Sequence, residues 1–310
     1  MRVFVAGASG AIGRPLVRRL VTAGHQVTGM TSRESNAAAI DAAGATAVVC
    51  DALDPDSTAA AVDASSAEVV ISQLTRLPDD YDPRTIDYEP TNRARAEGGH
   101  NLIEGARAAG ASRFVTQSIA FLYAPEGDRV KAEDAAPWMD APKPFASGLD
   151  PTLRHEREVL DAPGLDGLVL RYGFFYGPGT HYASDGSVAE QVRRRRFPIV
   201  GSGTGVFSFV HVEDAAAATL AAVERGEPGV YNVVDDEPAE LREWLPLYAK
   251  AVGARRPWRV PGLLARLVAG GWAVAISTQL RGASNAKAKR VLGWEPRHAT
   301  WRRGFADALG

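Results

Sequence analysis

The first thirteen residues constrain the fold of this chain more than any other segment does. An apolar run at residues 2–6, typical of a buried strand, leads into a glycine-rich turn and then into a helical pattern. In such a turn the first glycine permits a sharp bend, the second lets backbone approach a pyrophosphate, and the third lets helix pack on strand. Free N–H groups at the helix start then face anionic oxygens. We therefore predict a dinucleotide site at Gly7, Ser9, Gly10, Ala11, Ile12 and Gly13.

The first half of the chain alternates between strand-like and helical patterns. Strand-like runs lie at residues 2–6, 26–31, 46–50, 68–74, 113–117 and 167–171. Helical stretches lie between them, at 12–23, 37–43, 57–62, 93–109 and 153–160. Alternation of this kind predicts an α/β fold, a parallel sheet with helices on both faces, and right-handed crossovers make it a doubly wound (Rossmann) sheet.

The second half has a looser pattern, beginning where Gly177-Pro178-Gly179 interrupts the chain. Helical stretches at 188–196 and 212–225 surround a strand-like run at 207–212; another run follows at 229–234, and a tail helix starts near Trp301. We predict a dinucleotide-binding domain over residues 1–176 and a smaller, mostly helical substrate domain over 177–310. Some segments of the second are expected to return to the first.

Composition excludes several classes of protein. With 45% hydrophobic and 23% charged residues among 310, the chain has enough apolar side chains for a sizeable core. A net charge of −2 argues against a nucleic-acid binder, and the single cysteine, Cys50, excludes an internal disulfide or a multi-cysteine metal cluster. No metal is expected. The partner indicated is a small-molecule substrate, and a homodimer is compatible with the sequence.

The run at residues 262–280 is the strongest candidate for a membrane segment. It contains Arg266 and three glycines, whereas a spanning helix needs about 20 uninterrupted apolar residues. We interpret it as a buried or lid helix. The N-terminus enters its strand directly, without the apolar region and cleavage site of a signal peptide, so we expect a cytoplasmic protein.

The end of the second predicted strand indicates which dinucleotide binds. An acidic residue about 20 positions after the glycine turn would hold the ribose hydroxyls of NAD. Thr31, Ser32 and Arg33 occupy that place, and hydroxyls with a guanidinium suit a ribose 2′-phosphate better. We predict NADP(H), with NAD and a merely solvated Arg33 left open. Asp51 and Ala52, after the third strand, are candidates for adenine contact or for an ordinary helix cap.

With these motifs the chain resembles the extended short-chain dehydrogenase/reductase superfamily, of the NAD-dependent epimerase/dehydratase type. The resemblance runs nearly end to end. It rests on the glycine turn and on segments 101–103, 113–118, 170–179, 207–215, 230–233 and 285–296. It implies further cofactor contacts at Leu74, Thr116, Tyr172, Gly173 and Phe174.

The catalytic pair that this family uses is missing from the chain. The resemblance implies a tyrosine followed four residues later by a lysine, which lowers the tyrosine pKa so that its hydroxyl can exchange a proton beside the hydride. None of the eight tyrosines has a lysine at that spacing. Two alignments of the helix that should carry the pair place either Gly148 and Thr152, or Asp150 and Arg154, at the two positions.

Other residues are therefore candidates for the chemistry. Ser118 keeps the family's hydroxyl position and would polarise the substrate, Tyr123 lies just beyond it, and His155 in the vacated helix could move a proton near neutral pH. Each has a purely structural alternative. His181 and Tyr182 are candidates for substrate contact.

Taken together, the residues and the resemblance predict an NAD(P)(H)-dependent oxidoreductase or epimerase/dehydratase-like enzyme. It would act on a small metabolite and use a non-standard proton donor. Two alternatives stay open: a non-catalytic NAD(P)-binding sensor or scaffold protein, and a non-redox enzyme on the same fold.

Overall fold

The computed structural model describes residues 1–78 and 87–309. Its strands are β1 (Arg2–Ala6), β2 (Gln26–Thr31), β3 (Thr46–Val49), β4 (Val69–Ser72), β5 (Arg113–Ile119), β6 (Val130–Lys131), β7 (Asp166–Tyr172), β8 (Phe174–Tyr176), β9 (Ile199–Val200), β10 (Val206–Phe207), β11 (Phe209–His211), β12 (Gly229–Val233), β13 (Ala239–Glu240), β14 (Arg259–Val260) and β15 (Gly282–Ala283).

Its α-helices are α1 (Gly13–Thr22), α2 (Ala37–Ala42), α3 (Pro55–Ser65), α4 (Glu89–Arg93), α5 (Gly99–Ala108), α6 (Phe145–Leu160), α7 (Ser187–Arg193), α8 (Val212–Arg225), α9 (Leu241–Ala251), α10 (Gly262–Thr278), α11 (Ala286–Leu292) and α12 (Trp301–Leu309). A short 3₁₀ helix (Glu34–Asn36) precedes α2, and a π-helical turn (Ala94–Gly98) joins α4 to α5.

A seven-stranded parallel sheet organises the molecule, in the order β12-β7-β5-β4-β1-β2-β3. The strand order reverses at β1, which pairs with β2 on one side and with β4 on the other. In such sheets ligands bind in the crevice beyond the carboxyl ends of the strands at this reversal. The predicted doubly wound α/β fold is confirmed.

Helices cover both faces of the sheet because its strands are apolar on both sides. On one face α1 packs against α8, and α11 packs on α8 as well. On the other face α3, α5 and α6 cover the sheet. There are two further apolar clusters, one around Trp244 and Phe209 in the second half of the chain and one around Trp138 and Trp272 that joins residues of both halves.

Segments beyond residue 177 contribute to the central sheet. β12 pairs in parallel with β7 and forms the sheet edge. The predicted strand at 207–212 is two short strands, β10 and β11, which pair with different partners. Between them the carbonyl of Ser208 accepts a hydrogen bond from Phe174 N at 2.8 Å. The division at residue 177 remains a prediction, with β12 as one segment that returns.

α10 is kinked and only partly buried. Gly270 adopts φ 81° and ψ 176° within it, which separates two helical stretches. In the first stretch Leu263 and Leu267 are 75% and 79% exposed, so of the two predicted alternatives, a buried or a lid helix, the buried one is wrong there. In the second stretch Trp272 and Ala275 are buried. Among the described residues, no helix is long and apolar enough to cross a membrane.

Candidate active site

A cleft of about 690 Å³ opens at the carboxyl ends of the central strands. Gly7, Gln73, Ser118 and Tyr172 line it, and they come from the ends of β1, β4, β5 and β7. Its size lies within the range of small-molecule and cofactor sites. The strand reversal at β1 therefore coincides with a cleft large enough for a cofactor.

The glycine turn forms one wall of the cleft, which we call the glycine wall (residues 7–13). Gly7 has φ 82°, and a Cβ there would lie 2.6 Å from the carbonyl oxygen of Gln73. A Cβ on Gly13 would lie 2.1 Å from Gly7 O, so only glycine lets α1 pack this closely. Gly10 is exposed, and a Cβ there would meet only Gly7 O, at 3.3 Å, among the described residues. These three glycines have the geometry that a bound pyrophosphate needs.

The start of α1 supplies the groups that would hold that pyrophosphate. Ile12 precedes the helix, no described side chain caps it, and no acidic residue lies in its first turn. The unbonded N–H groups and the positive end of the helix dipole therefore face the cleft without a competing anion from that turn. The chain fits a dinucleotide here.

The end of β2 lies beside the glycine wall. Thr31 Oγ1 lies 3.1 Å from Ser9 Oγ, and Asn36 Nδ2 donates to Ser9 Oγ at 3.2 Å. Ser32 and Arg33 are exposed next to them. A hollow of about 260 Å³ adjoins this cluster and is lined by Ser9, Arg14, Val17, Arg18 and Asn36 among others. No carboxylate lines the hollow within the described part of the chain.

Besides Ser9 and the three residues Thr31, Ser32 and Arg33 at the end of β2, four predicted cofactor residues do not line the cleft. Asp51 is exposed and pairs with Arg76 at 2.8 Å. The carbonyl of Ala52 accepts from Asn101 at 2.9 Å, and that of Leu74 accepts from Gln117 at 3.0 Å. Thr116 is buried beneath the site. The structure thus brings together the glycine wall and the residues after β7, but not these four.

Tyr172, Gly173 and Phe174, at the end of β7 and just beyond it, line the cleft. The Tyr172 hydroxyl accepts from Gln73 Nε2 at 3.3 Å and lies 2.7 Å from Thr219 Oγ1. Burial raises the pKa of Tyr172 to about 12, so its hydroxyl stays protonated. The Phe174 ring stacks on Phe121, with centroids 4.4 Å apart.

Gln73 links these residues to the glycine wall. Its Oε1 is buried without a hydrogen-bond partner among the described residues, although its Nε2 donates to Tyr172. A buried acceptor left unpaired is costly, and it becomes satisfied when a ligand donor binds beside it. This orphaned oxygen is a second observation that fits a polar cofactor in the cleft.

The facing side of the cleft, which we call the helix wall, is formed by Asn92, Arg95, Gly148 and Thr152. A Cβ on Gly148 would lie 3.2 Å from Asn92 Oδ1, and Thr152 Oγ1 donates to Gly148 O at 2.8 Å. Of the two alignments of α6, the structure brings Gly148 and Thr152 to the cleft.

The other alignment places residues on the outer surface of α6. Asp150 and Arg154 form an ion pair with each other there, one turn apart. Their hydrogen bond lowers the pKa of Asp150. Neither side chain lines the cleft.

Ser118 reaches the cleft, and its hydroxyl belongs to a buried polar chain. Ser118 Oγ donates to Glu156 Oε1 at 2.5 Å. Arg171 contacts both Glu156 oxygens, at 2.9 and 2.6 Å, and donates to the Tyr123 hydroxyl at 3.1 Å. Tyr123 in turn donates to Asn232 Oδ1 at 2.6 Å. Tyr123 is fully buried, which raises its pKa, and it does not line the cleft.

His155 lies behind the cleft rather than in it. Its ring is 4% exposed, and Nε2 is 3.0 Å from Thr116 Oγ1. A Cβ on Gly99 would lie 2.3 Å from His155 Cε1, so the imidazole fills the space that this glycine leaves. Nδ1 has no hydrogen-bond partner within the described chain, and Glu158 Oε2 lies 3.8 Å from it. The structure does not bring this predicted proton donor to the site.

Some of the other residues that line the cleft were predicted from the sequence and some were not. His181 and Tyr182 line the cleft, as expected. Asn92, Arg95 and Trp272 line it too and were not predicted. The first two are three residues apart on one helix face. Their spacing in the sequence indicates that they share one face of a helix. Whether that face lines the cleft depends on how α6 packs, which the sequence does not show.

The comparisons with known proteins agree with this geometry. The model of the NAD dependent epimerase/dehydratase family matches residues 3–233. A 3-diazoavenalumate denitrifying reductase from a Streptomyces species is 44% identical over 305 residues, 98% of this chain and 99% of that one. A 4-hydroxy-2-methyl-3-oxo-4-farnesyl-3,4-dihydroquinoline-1-oxide ketoreductase from Stigmatella aurantiaca is 28% identical over 82% of this chain and 74% of its own. The NAD complex of UDP-glucose 4-epimerase from Thermus thermophilus has a TM-score of 0.75 at 24% identity, covering 100% of this chain and 98% of that one.

The chain belongs to the NAD-dependent epimerase/dehydratase family, whose model spans most of its length. It is an NAD(P)-dependent oxidoreductase or epimerase-like enzyme, with a nicotinamide cofactor. The resemblance and the class of enzyme predicted from the sequence are confirmed.

Proposed function

We propose that this chain is an NADP(H)-dependent reductase of a small electrophilic metabolite, and that it reduces this substrate without a tyrosine proton donor. When bound, the reduced nicotinamide supplies the hydride. The glycine wall holds and orients the dinucleotide, and the aromatic residues around Phe174 keep water away from its reactive end.

The observation that carries this proposal is the composition of the helix wall. Gly148 and Thr152 face the cleft where the family resemblance places a tyrosine and a lysine. Glycine has no side chain, and a threonine hydroxyl bonded to the backbone is a poor acid. Carbonyl reduction needs a proton at the developing alkoxide, so the wall favours an electrophile that needs none.

The carbon that bears a diazonium group is such an electrophile. The relative with 44% identity over nearly its whole length is named as a denitrifying reductase of a diazo compound. When hydride replaces dinitrogen on a diazonium carbon, one C–H bond forms and one C–N bond breaks. The dinitrogen leaves with the C–N electron pair, so no proton is required. We propose this class of reaction for the present chain.

The preference for NADP(H) is supported by the residues at the end of β2. Thr31, Ser32 and Arg33 offer hydroxyls and an exposed guanidinium beside Ser9, and the adjoining hollow carries Arg14 and Arg18. Guanidinium groups bind a 2′-phosphate through charge-assisted hydrogen bonds.

Ser118, Tyr123 and His155 divide into two roles in this proposal. Ser118 lines the cleft and is the hydroxyl available to a substrate. Tyr123 and His155 act through packing: Tyr123 satisfies Arg171, and His155 fixes α6 against Gly99. Neither is proposed to donate a proton to the substrate.

Label transfer tests the proposal. The protein is mixed with NADPH deuterated at nicotinamide C4 and with 4-hydroxybenzenediazonium, and a parallel series contains ketones, aldehydes or UDP-glucose. We expect one deuterium in the arene product, and one dinitrogen released for each NADPH oxidised. A protein-free reaction corrects for direct reduction. Turnover of carbonyls or UDP-glucose with no label transfer to the diazonium carbon would overturn the proposal.

The cytoplasmic location and a homodimer remain predictions from the sequence. Sedimentation at several protein concentrations tests the second of these.

A further inference from the structure

Arg95 stands at an irregular point of the helix wall. It belongs to the π-helical turn Ala94–Gly98, one turn after Asn92, and both side chains line the cleft. π-helical turns inside α-helices are rare and frequently occur at functional sites. This turn packs against α6, so Arg95 lies next to the α6 face that carries Gly148 and Thr152.

The charge of Arg95 is only partly compensated. Its Nε is buried and has no hydrogen-bond partner among the described residues. Burial lowers the pKa of Arg95 to about 10, while the nearby Glu156 and Tyr88 oppose that shift. The guanidinium therefore stays protonated at neutral pH. Arg95 is half-buried, and a cation with incomplete bonds at the edge of a cleft is expected where a ligand completes them.

The acidic group that acts on Arg95 is already engaged elsewhere. Both oxygens of Glu156 accept from Arg171, and one also accepts from Ser118. Two guanidinium groups thus share one carboxylate, which leaves one positive charge on the cleft side. Asp185, just before α7, and Glu190, in the first turn of α7, also line the cleft, and Glu190 pairs with Arg194. Within residues 1–78 and 87–309, Arg95 is the one arginine or lysine that lines the cleft.

The surroundings of Arg95 restrict which anion fits. Gly148 and Thr152 line the cleft with it and add no charged side chain, and the cleft is otherwise strongly aromatic. Phe145 and Trp272 stack with centroids 4.5 Å apart, and Phe121 stacks on Phe174. One cation, two acids and aromatic rings match a flat monoanion better than a diphosphate, which would require several cations.

We propose that Arg95 binds the carboxylate of the substrate, and that this substrate is an aromatic monocarboxylic acid. That this ligand is the substrate rests on the proposed function, whereas the binding of an aromatic carboxylate at Arg95 does not. Arg95 would be a specificity-determining residue that sets which end of the molecule lies in the helix wall.

Binding of a matched pair of probes tests this without turnover. The complex of the full chain with NADP⁺ is titrated with 4-hydroxybenzoate and with 4-hydroxybenzamide, which differ in charge but little in shape. Calorimetry and the fluorescence of the cleft tryptophan report binding. The variants are Arg95→Gln, Arg95→Lys and, as a matched control, Arg93→Gln. Arg93 lies on the exposed side of the same helix, where it pairs with Glu97.

We expect the wild type to bind the carboxylate at least about tenfold more tightly than the amide. Arg95→Gln should weaken carboxylate binding by about 10- to 100-fold and leave the amide unchanged, as for loss of a charged hydrogen bond. Arg95→Lys should retain part of the preference, and Arg93→Gln all of it. NADP⁺ affinity, measured for each variant, should be unchanged and confirms that the variants are folded.

Three results would overturn the proposal: equal or absent binding of the two probes by the wild type, a preference that survives in Arg95→Gln, or a loss of NADP⁺ affinity in that variant. The last would assign Arg95 to the cofactor. Because hydride transfer is not involved, these outcomes are independent of the label-transfer experiment.

Discussion

The two walls of the cleft differ in how the sequence specifies them. The glycine wall depends on backbone: Gly7 must adopt a positive φ, and Gly13 must let α1 approach within contact of the turn. The helix wall depends on side chains from two helices, where Gly148 and Thr152 face Asn92 and Arg95. A backbone requirement appears as glycines at fixed spacing. A group of side chains from different helices cannot be recognised in the sequence, because it forms only when the helices pack together.

This difference indicates which part of the enzyme can change. In the proposed function the glycine wall binds a dinucleotide that many proteins share, so the ligand fixes its geometry. The helix wall would meet the substrate, and its side chains can change while the fold stays the same. Here no tyrosine is followed four residues later by a lysine, and Arg95, whose Nε has no partner among the described residues, lines the cleft with Gly148 and Thr152.

The largest effect is expected on the helix side, from the ion pair beneath it. Glu156→Gln leaves Arg171 buried without its counter-charge, and we expect a loss of about 3–5 kcal/mol in the free energy of unfolding. Urea denaturation measures it. Glu158→Gln is the control, because Glu158 is partly exposed and its loss should cost under about 1 kcal/mol. Equal losses in the two variants would mean that the Glu156–Arg171 pair does not support α6.

Gly10→Val tests the glycine wall. The new side chain would project into the space of the pyrophosphate, since only Gly7 O lies near that Cβ among the described residues. We expect at least about 100-fold weaker dinucleotide binding by calorimetry, with an unchanged circular dichroism spectrum. Gly262→Ala, at an uncrowded position, is the control. Normal cofactor affinity in a folded Gly10→Val protein would show that the dinucleotide binds elsewhere.

Arg33→Ala tests whether the chain prefers NADP(H) to NAD(H). Removing the exposed guanidinium beside Thr31 should cost about 1–3 kcal/mol in NADP(H) binding and leave NAD(H) nearly unchanged. Parallel titrations with both cofactors measure the difference. An equal loss for both cofactors would contradict a 2′-phosphate contact at Arg33.

The tyrosines of the cleft should matter little for turnover. We expect Tyr88→Phe, Tyr172→Phe and Tyr182→Phe each to reduce the reductase rate by less than about tenfold, far below the loss of a general acid. Steady-state kinetics on a reactive substrate measures this. If the rate of one variant fell by about 100-fold or more, that tyrosine would be the general acid, and the helix wall would not lack a proton donor.

Tyr172 should instead affect stability at high pH. Burial raises its folded-state pKa from 10.0 to about 12, so the unfolded chain loses this proton first. The stability that Tyr172 contributes is therefore complete below about pH 10 and is lost as the pH rises toward about 12. Thermal unfolding between about pH 9 and 11 should decline less steeply in Tyr172→Phe than in the wild type. Identical slopes would contradict the raised pKa.

Much of the fold could be predicted because its signals are local. β1, β2 and α8 have the predicted bounds, since their apolar patterns and flanking residues define them. The exposed first half of α10 could not be predicted, because an apolar run looks the same buried or exposed.

The site was harder to predict than the fold. His155 was predicted to be a proton donor because imidazole titrates near neutral pH, yet Gly99 and Thr116 hold it behind the cleft. Arg95 was not predicted, because its charge is left unpaired only when Glu156 pairs with Arg171, and that contact joins residues 15 positions apart in the sequence.

A crystal structure of the complex with NADP⁺ and 4-hydroxybenzoate tests the central claim most directly. We predict that the nicotinamide C4 faces the helix wall, with Gly148 and Thr152 as the nearest α6 residues. We also predict that no tyrosine or histidine side chain lies within hydrogen-bond distance, about 3.2 Å, of the ligand atom closest to C4. A tyrosine hydroxyl or an imidazole at that distance would contradict an enzyme that works without a side-chain proton donor.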